Sequence, residues 1–163
     1  MPEFPYADFE SLVASIGDQA TLLVLDRIHD SHNFGAMVRS AVGLGVNAVL
    51  VGEAEQSAVN RQVVQSSAGA VNLVPIARVV SLQAALSSLQ ARGVCIVAAS
   101  EKADCDLFTA DLRTPLVIIV GNEGRGVDPA LSRCARSRSE FRWAITSAHL
   151  MPLSLPELCV MKP

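Results

Sequence analysis

Short aliphatic runs alternate along this chain with amphipathic stretches of helical period, with glycine, proline and polar residues between them. Ala20 to Leu25 and Val46 to Val51 read as the first two strands, and Val94 to Ala99 as a buried one. Leu116 to Val120, five aliphatics of which four are β-branched, reads as a strand covered on both faces. Asn72 to Ile76 is shorter, and Pro75 assigns it to an edge or a strand end. Asp8 to Ile16 predicts a short surface helix, Phe34 to Leu44 a helix stopped by Gly45, and Ala58 to Ser67 a polar helix. Ser81 to Arg92 is amphipathic, with Leu82, Leu86 and Leu89 on one face and Gly93 as its stop. Asp128 before Pro129 has the form of an N-cap with proline at the first helical position. The order β-α-β-α-β-α-β-β-α predicts an α/β domain with a parallel sheet flanked by helices on both faces.

In such a sheet, ligands bind beyond the carboxyl ends of the strands. Leu116 to Val120 runs directly into Gly121-Asn122-Glu123-Gly124-Arg125-Gly126, whose glycines let backbone amides approach a ligand beside Glu123. The plainer alternative is an ordinary glycine-rich turn between strand and helix. Ser66 to Ala70 is a run of small residues that predicts close packing. Arg39 stands out in an otherwise apolar helix, where an arginine most often extends its stem along the surface.

Half of the 163 residues are hydrophobic, enough for one domain with a real core. No apolar run reaches the roughly 18 residues that cross a bilayer, and an N-terminus carrying Glu3, Asp8 and Glu10 lacks a basic leader head, so a soluble cytoplasmic protein is expected. Cys95, Cys105, Cys134 and Cys159 are scattered without the close spacing of a zinc or redox motif, so no metal is expected. A net charge of −3 argues against a broad nonspecific nucleic-acid surface and confines any such contact to a local patch.

Two segments together resemble the SpoU branch of the SPOUT superfamily, the S-adenosylmethionine-dependent RNA ribose 2′-O-methyltransferases. They are Asp30-Ser31-His32-Asn33-Phe34-Gly35-Ala36-Met37-Val38-Arg39-Ser40-Ala41 and Val120-Gly121-Asn122-Glu123-Gly124-Arg125-Gly126-Val127, and Ser67-Ala68-Gly69-Ala70 with Val74-Pro75-Ile76 lies between them. The similarity runs from about Leu22 to about Ala135, leaving 1–19 as an N-terminal extension and 20–135 as the methyltransferase core. It implies a trefoil-knot fold, S-adenosylmethionine as cofactor, tRNA or rRNA as partner and a homodimer. Arg39 falls on the family's catalytic arginine, often supplied across a dimer interface, where a permanent guanidinium can stabilise a developing alkoxide. Asn33 falls on the asparagine that orients Arg39 or the ribose, although its type and place also suit an N-cap of the helix from Phe34. Glu123 falls on the second motif's glutamate, which arranges the active site by hydrogen bonding, against the plainer reading of a solvated carboxylate. Ala98, Ala99 and Ser100, with Gly121, Asn122, Glu123 and Gly126, fall where the family holds its cofactor.

The family's third motif, an Arg-Ile-Pro-Met strand followed by Ser-Leu-Asn-x-Ser-Val-Ala opening a last helix, is missing. Residues 136–163 form an aberrant tail, with Pro152 and Pro156 where the helix belongs. If each codon takes the third base of one residue and the first two of the next, Trp143-Ala144 must give Gly, Met151-Pro152 Ala and Met161-Lys162 Glu. The other junctions permit Val-Arg-Ile-Pro-Met-Gly-His-His-Ile-x-Ser-Leu-Asn-Ala-Ser-Val-Ala-Ala, the missing motif. A single-base shift near Arg136 to Arg138 would account for the tail, which resequencing the coding DNA decides, and weak or absent cofactor binding is expected of the chain as it stands. Two alternatives remain at this level. One is a noncatalytic RNA-binding or dimerisation module on the same scaffold. The other is a nucleotide-binding protein using the glycine turn for phosphate, which lacks the P-loop lysine and the dinucleotide fingerprint.

Overall fold

The computed structural model describes residues 4–99, 105–106, 113–135 and 140–142. Among the described residues seven strands form one sheet: β1 Thr21–Asp26, β2 Ala48–Gly52, β3 Ile76–Val79, β4 Cys95–Ala99, β5 Cys105–Asp106, β6 Leu116–Gly121 and β7 Glu140–Arg142, in the order β3-β2-β1-β6-β4-β7-β5. Every named strand pair is parallel. The aliphatic run that opens the glycine turn is thus the middle strand, between β1 and β4.

The helices are α1 Phe9–Ala14, α2 Ser31–Gly43, α3 Arg61–Ser66, α4 Leu82–Ala91 and α5 Pro129–Ser132. Alternate strand residues feed two cores, because successive side chains leave a strand on opposite faces. Leu22, Val24, Leu50, Val117 and Ile119 join Leu86 and Leu89 of α4 and Leu131 of α5 on one face. Leu25, Val49 and Val51 join Phe34 and Val38 of α2 and Val63 of α3 on the other. The α/β architecture expected from the apolar pattern is therefore present, with helices on both faces of a parallel sheet.

Helix starts follow their caps. Asp8, Asn60, Ser81 and Asp128 each accept a backbone N–H from the first turn of the helix they precede. The N–H and hydroxyl of Ser11 hold the Asp8 carboxyl below the usual carboxylate range. Several boundaries differ from the expected ones: α1 is Phe9–Ala14 within the expected Asp8 to Ile16, β2 starts at Ala48 and not Val46, and α3 starts at Arg61 and not Ala58 because Asn60 caps it. α2 begins at Ser31, not Phe34, because Asp30 caps it by accepting from the amides of His32 and Asn33. The third strand runs Ile76–Val79, after Pro75 instead of through it, because Gly69 in the left-handed region (φ 81°) starts a 3-10 turn over Ala70–Asn72. The strand does lie at the sheet edge.

The small-residue run serves close packing, as expected. A Cβ on Gly35 of α2 would overlap the Ser66 side chain and stand 2.7 Å from the Val63 carbonyl of α3. Cys95 and Cys134 are half-buried thiols. Among the described residues no helix is long and apolar enough to cross a membrane, and no cluster of three His, Cys, Asp or Glu side chains is placed to hold a metal. Ser100, the Cys105 side chain, Cys159, most of the acidic segment Glu101 to Asp111 and all of the tail except the backbone of β7 lie outside the described residues.

Candidate active site

At the carboxyl edge of the sheet β6 ends on Gly121, in register with Asp26 at the end of β1. The chain then folds back on itself: Asn122 and Gly126 form an antiparallel bridge, and the Gly126 amide donates to the Asn122 carbonyl at 2.7 Å. Gly126 has a φ of 71°, in the left-handed region that the reversal needs. The Asn122 side chain organises the loop. Its Oδ1 accepts from the amides of Gly124 (2.9 Å) and Arg125 (3.2 Å), and its Nδ2 donates to the Arg27 carbonyl at 3.1 Å. The return strand passes so close to Gly121 that a Cβ there would overlap the backbone of Gly126 and Val127.

These bonds change the chemistry expected of the turn. The amides of Gly124, Arg125, Gly126 and Asp128 point inward, the last to Asp26 Oδ2 at 2.7 Å. A phosphate site needs a nest of open N–H donors, and this turn has spent most of its own. Glu123 adds a carboxylate to the rim. A donor-poor, acid-bearing turn suits an uncharged adenosine and a cationic sulfonium better than an anion, so its residues fit the cofactor implied by the resemblance and not a nucleotide phosphate.

The structure joins the two sequence segments directly. Asn33, in the first turn of α2, donates from Nδ2 to Glu123 Oε1 at 2.6 Å. Because Asp30 caps the helix, the Asn33 side chain is released for this bond, which corrects the N-cap alternative. Glu123 is exposed but partnered, so it is more than a solvated turn carboxylate. A charge-assisted bond at the protein surface contributes about 1 kcal/mol. Asn33→Ala is therefore expected to lower stability by no more than about 1 kcal/mol while freeing Glu123, seen as faster side-chain and backbone motion at residues 122–126 in NMR relaxation. Unchanged relaxation there would show that the bond does not hold the turn.

Ala98 and Ala99 lie at the carboxyl end of β4, where Ala98 is opposite Ile119 of β6 on one side and Glu140 of β7 on the other. They share the rim with Gly121. Among the described residues Arg39 makes no bond to it. It lies six residues beyond Asn33, about 9 Å along α2 and about 120° around its axis. It is exposed, and among the described residues it makes no hydrogen bond or ion pair. Arg125, at the tip of the turn, faces Glu55 at 3.9 Å with both side chains exposed, a pairing worth well under about 1 kcal/mol.

Asp26 and Arg27 were not singled out from the sequence, yet they underlie the turn. Asp26 is 3% exposed and accepts from Arg27 Nε (3.2 Å) and Nη2 (3.1 Å). Burial works against the Arg27 charge, but the hydrogen bond and charge of Asp26, with Asp128 and Glu55 nearby, outweigh it and hold its pKa above the ordinary value. The available sign was an acid-base pair closing an otherwise apolar strand. Beside this pair a cleft of about 240 Å³ opens at the ends of β1 and β2, with Arg27, Glu55, Val80, Gln83 and Asp128 in its walls.

The SpoU rRNA Methylase family matches residues 20–140. The chain is 36% identical over 127 residues to a 23S rRNA (guanosine-2'-O-)-methyltransferase RlmB of Shewanella oneidensis, covering 78% of this chain and 51% of that protein. It is 36% identical over 120 residues to the protein of the same name from Xanthomonas campestris, covering 74% and 48%. The chain thus spans about half the length of the curated relatives it matches. Its fold superposes on the SpoU methyltransferase AviRb of Streptomyces viridochromogenes, solved in complex with AdoMet, with a TM-score of 0.76 at 25% identity over 89% of this chain and 58% of that one.

Proposed function

Because the chain belongs to the SpoU rRNA Methylase family, we propose that it is built to move a methyl group from S-adenosylmethionine to a ribose 2′-hydroxyl of ribosomal or transfer RNA, as a homodimer in the cytoplasm. The observation that carries this is the Asn33 to Glu123 hydrogen bond, which joins two segments 90 residues apart. Bound S-adenosylmethionine would supply an electrophilic methyl carbon for in-line attack by the ribose oxygen, with the carbon-sulfur electron pair leaving on S-adenosylhomocysteine and the hydroxyl proton passing to water. Such a displacement is helped mainly by alignment and by stabilising the alkoxide as its proton departs.

In this account Ala98, Ala99, Gly121, Asn122 and Gly126, with Ser100, hold the adenosine side of the cofactor, which supplies the electrophilic methyl. Glu123, oriented by Asn33, stands on the rim and accepts hydrogen bonds there. Arg39 stabilises the developing oxyanion and grips a neighbouring phosphate. Its place on α2, away from Glu123 and without a partner among the described residues, supports its meeting the turn of a second copy and not of its own. The small negative charge supports RNA gripping by a few placed arginines and not by a basic surface.

The second reading, a noncatalytic RNA-binding or dimerisation scaffold, is favoured by the aberrant tail. Methyl transfer from radiolabelled S-adenosylmethionine to total RNA separates the two when run on the chain as it stands and on the version with residues 136–163 returned to the neighbouring frame. The enzyme reading expects transfer by the frame-restored version, reduced about 10²- to 10³-fold by Arg39→Ala, as for loss of an oxyanion-stabilising group. Two inactive proteins would support the scaffold instead.

A further inference from the structure

Arg27 adopts a φ of 57°, in the left-handed region that side-chain-bearing residues seldom enter. Several bonds offset that strain. The Asn122 side chain donates to the Arg27 carbonyl, and the Arg27 guanidinium reaches three places at once. It forks onto both Asp26 oxygens, donates from Nη2 to the Gly126 carbonyl at 3.4 Å, and sets Nη1 3.5 Å from Asp128 Oδ2. Asp26 Oδ2 in turn accepts from the Asp128 amide, and Asp128 Oδ1 caps α5 at Ala130. The end of β1, the return of the glycine turn and the start of α5 are therefore tied at a single guanidinium.

We propose that Asp26 and Arg27 are positioning residues that lock the 121–128 turn in its cofactor-accepting shape, an inference that rests on the methyltransferase reading above. The pair does not touch the proposed reacting atoms. It fixes Gly126 and Val127 against Gly121 and so sets the width of the rim opposite Ala98 and Ala99. A planar fork can satisfy Asp26, Gly126 and Asp128 together, whereas a lysine ammonium keeps the charge beside Asp26 but is a single point.

Arg27→Lys in the full chain is the test, with Arg92→Lys, which alters an exposed pair with Glu10 at 3.8 Å, as control. Amide hydrogen exchange at Gly126 and Asp128 is expected to rise roughly tenfold in Arg27→Lys, as local opening and not global unfolding, with Tm within about 3 °C of the parent. S-adenosylmethionine affinity, read from amide shifts at millimolar ligand in the full chain and again in the frame-restored chain, is expected to fall about fivefold or more. If Arg27→Lys does not fold, Asp26→Asn, which keeps an acceptor for the Asp128 amide, serves in its place. Unchanged exchange, or faster exchange with unchanged affinity, overturns the proposal. If neither parent responds to S-adenosylmethionine, the methyltransferase reading fails instead, and with it the cofactor-setting role, while the exchange rates still decide whether Arg27 holds the turn.

Discussion

Returning residues 136–163 to the neighbouring reading frame is expected to tighten S-adenosylmethionine binding at least about a hundredfold, or about 2.7 kcal/mol. The size follows from one wall of a pocket: about 100 Å² of apolar ligand surface removed from water at roughly 25 cal/mol per Å² contributes about 2.5 kcal/mol. The backbone already provides the place for that wall. β7, Glu140–Arg142, pairs with Ala98 and Ala99 on the side of β4 away from β6, beside the residues proposed to hold the cofactor. The neighbouring frame of this stretch permits Arg-Ile-Pro-Met, with the Ser-Leu-Asn turn following. Calorimetric titration of both proteins measures the difference. Equal affinities, or tight binding by the chain as it stands, would contradict it, and sequencing the coding DNA independently decides whether the alternative codons yield the motif.

The second large effect is expected at Gly121. Alanine there would drive a methyl group into the backbone of Gly126 and Val127, and backbone cannot step aside as a flexible side chain can. The turn must open, breaking the 2.7 Å Gly126 to Asn122 hydrogen bond and displacing the segment that leads into α5. A cost of at least about 3 kcal/mol is expected, lowering Tm by roughly 6–12 °C. Gly43→Ala is the matched control: it lies in α2 with nothing within 4 Å of an added Cβ, so it should be neutral or stabilising by up to about 1 kcal/mol. Thermal denaturation of the two variants beside the parent reads the contrast, and a Gly121→Ala protein as stable as the parent would show that the close approach is not obligatory.

Much of this fold was legible because its strands are continuous aliphatic runs and its helices carry clear caps. Asp128 caps its helix as its position announces, and Leu82, Leu86 and Leu89 are buried. The start of α2 was harder to read because Asp30 and Asn33 are both competent caps and local pattern does not rank them. Only the long-range bond to Glu123 shows where the Asn33 side chain goes. Pro75 drew the third strand too early, since the 3-10 turn before it depends on a left-handed Gly69 whose conformation no periodicity reports.

The site was legible in part. Motif resemblance pointed to the two segments that the Asn33 to Glu123 bond joins, and the parallel sheet brings Ala98, Ala99 and Gly121 to one edge. The inward aim of the turn's amides was not, because it depends on one side chain, Asn122, choosing the loop over solvent. The Asp26 and Arg27 pair escaped notice for a related reason: its contacts to Gly126 and Asp128 span about a hundred residues and leave no local signature.

Whether the glycine turn is where the methyl donor sits is tested most directly by mapping amide shifts as S-adenosylmethionine is added to the frame-restored chain. The shifts should gather at Ala98, Ala99, Gly121, Asn122 and Gly126, on the rim joined to α2 by Asn33 and Glu123. Shifts centred on Glu55, Val80 and Gln83 would place the ligand in the neighbouring cleft and contradict the account.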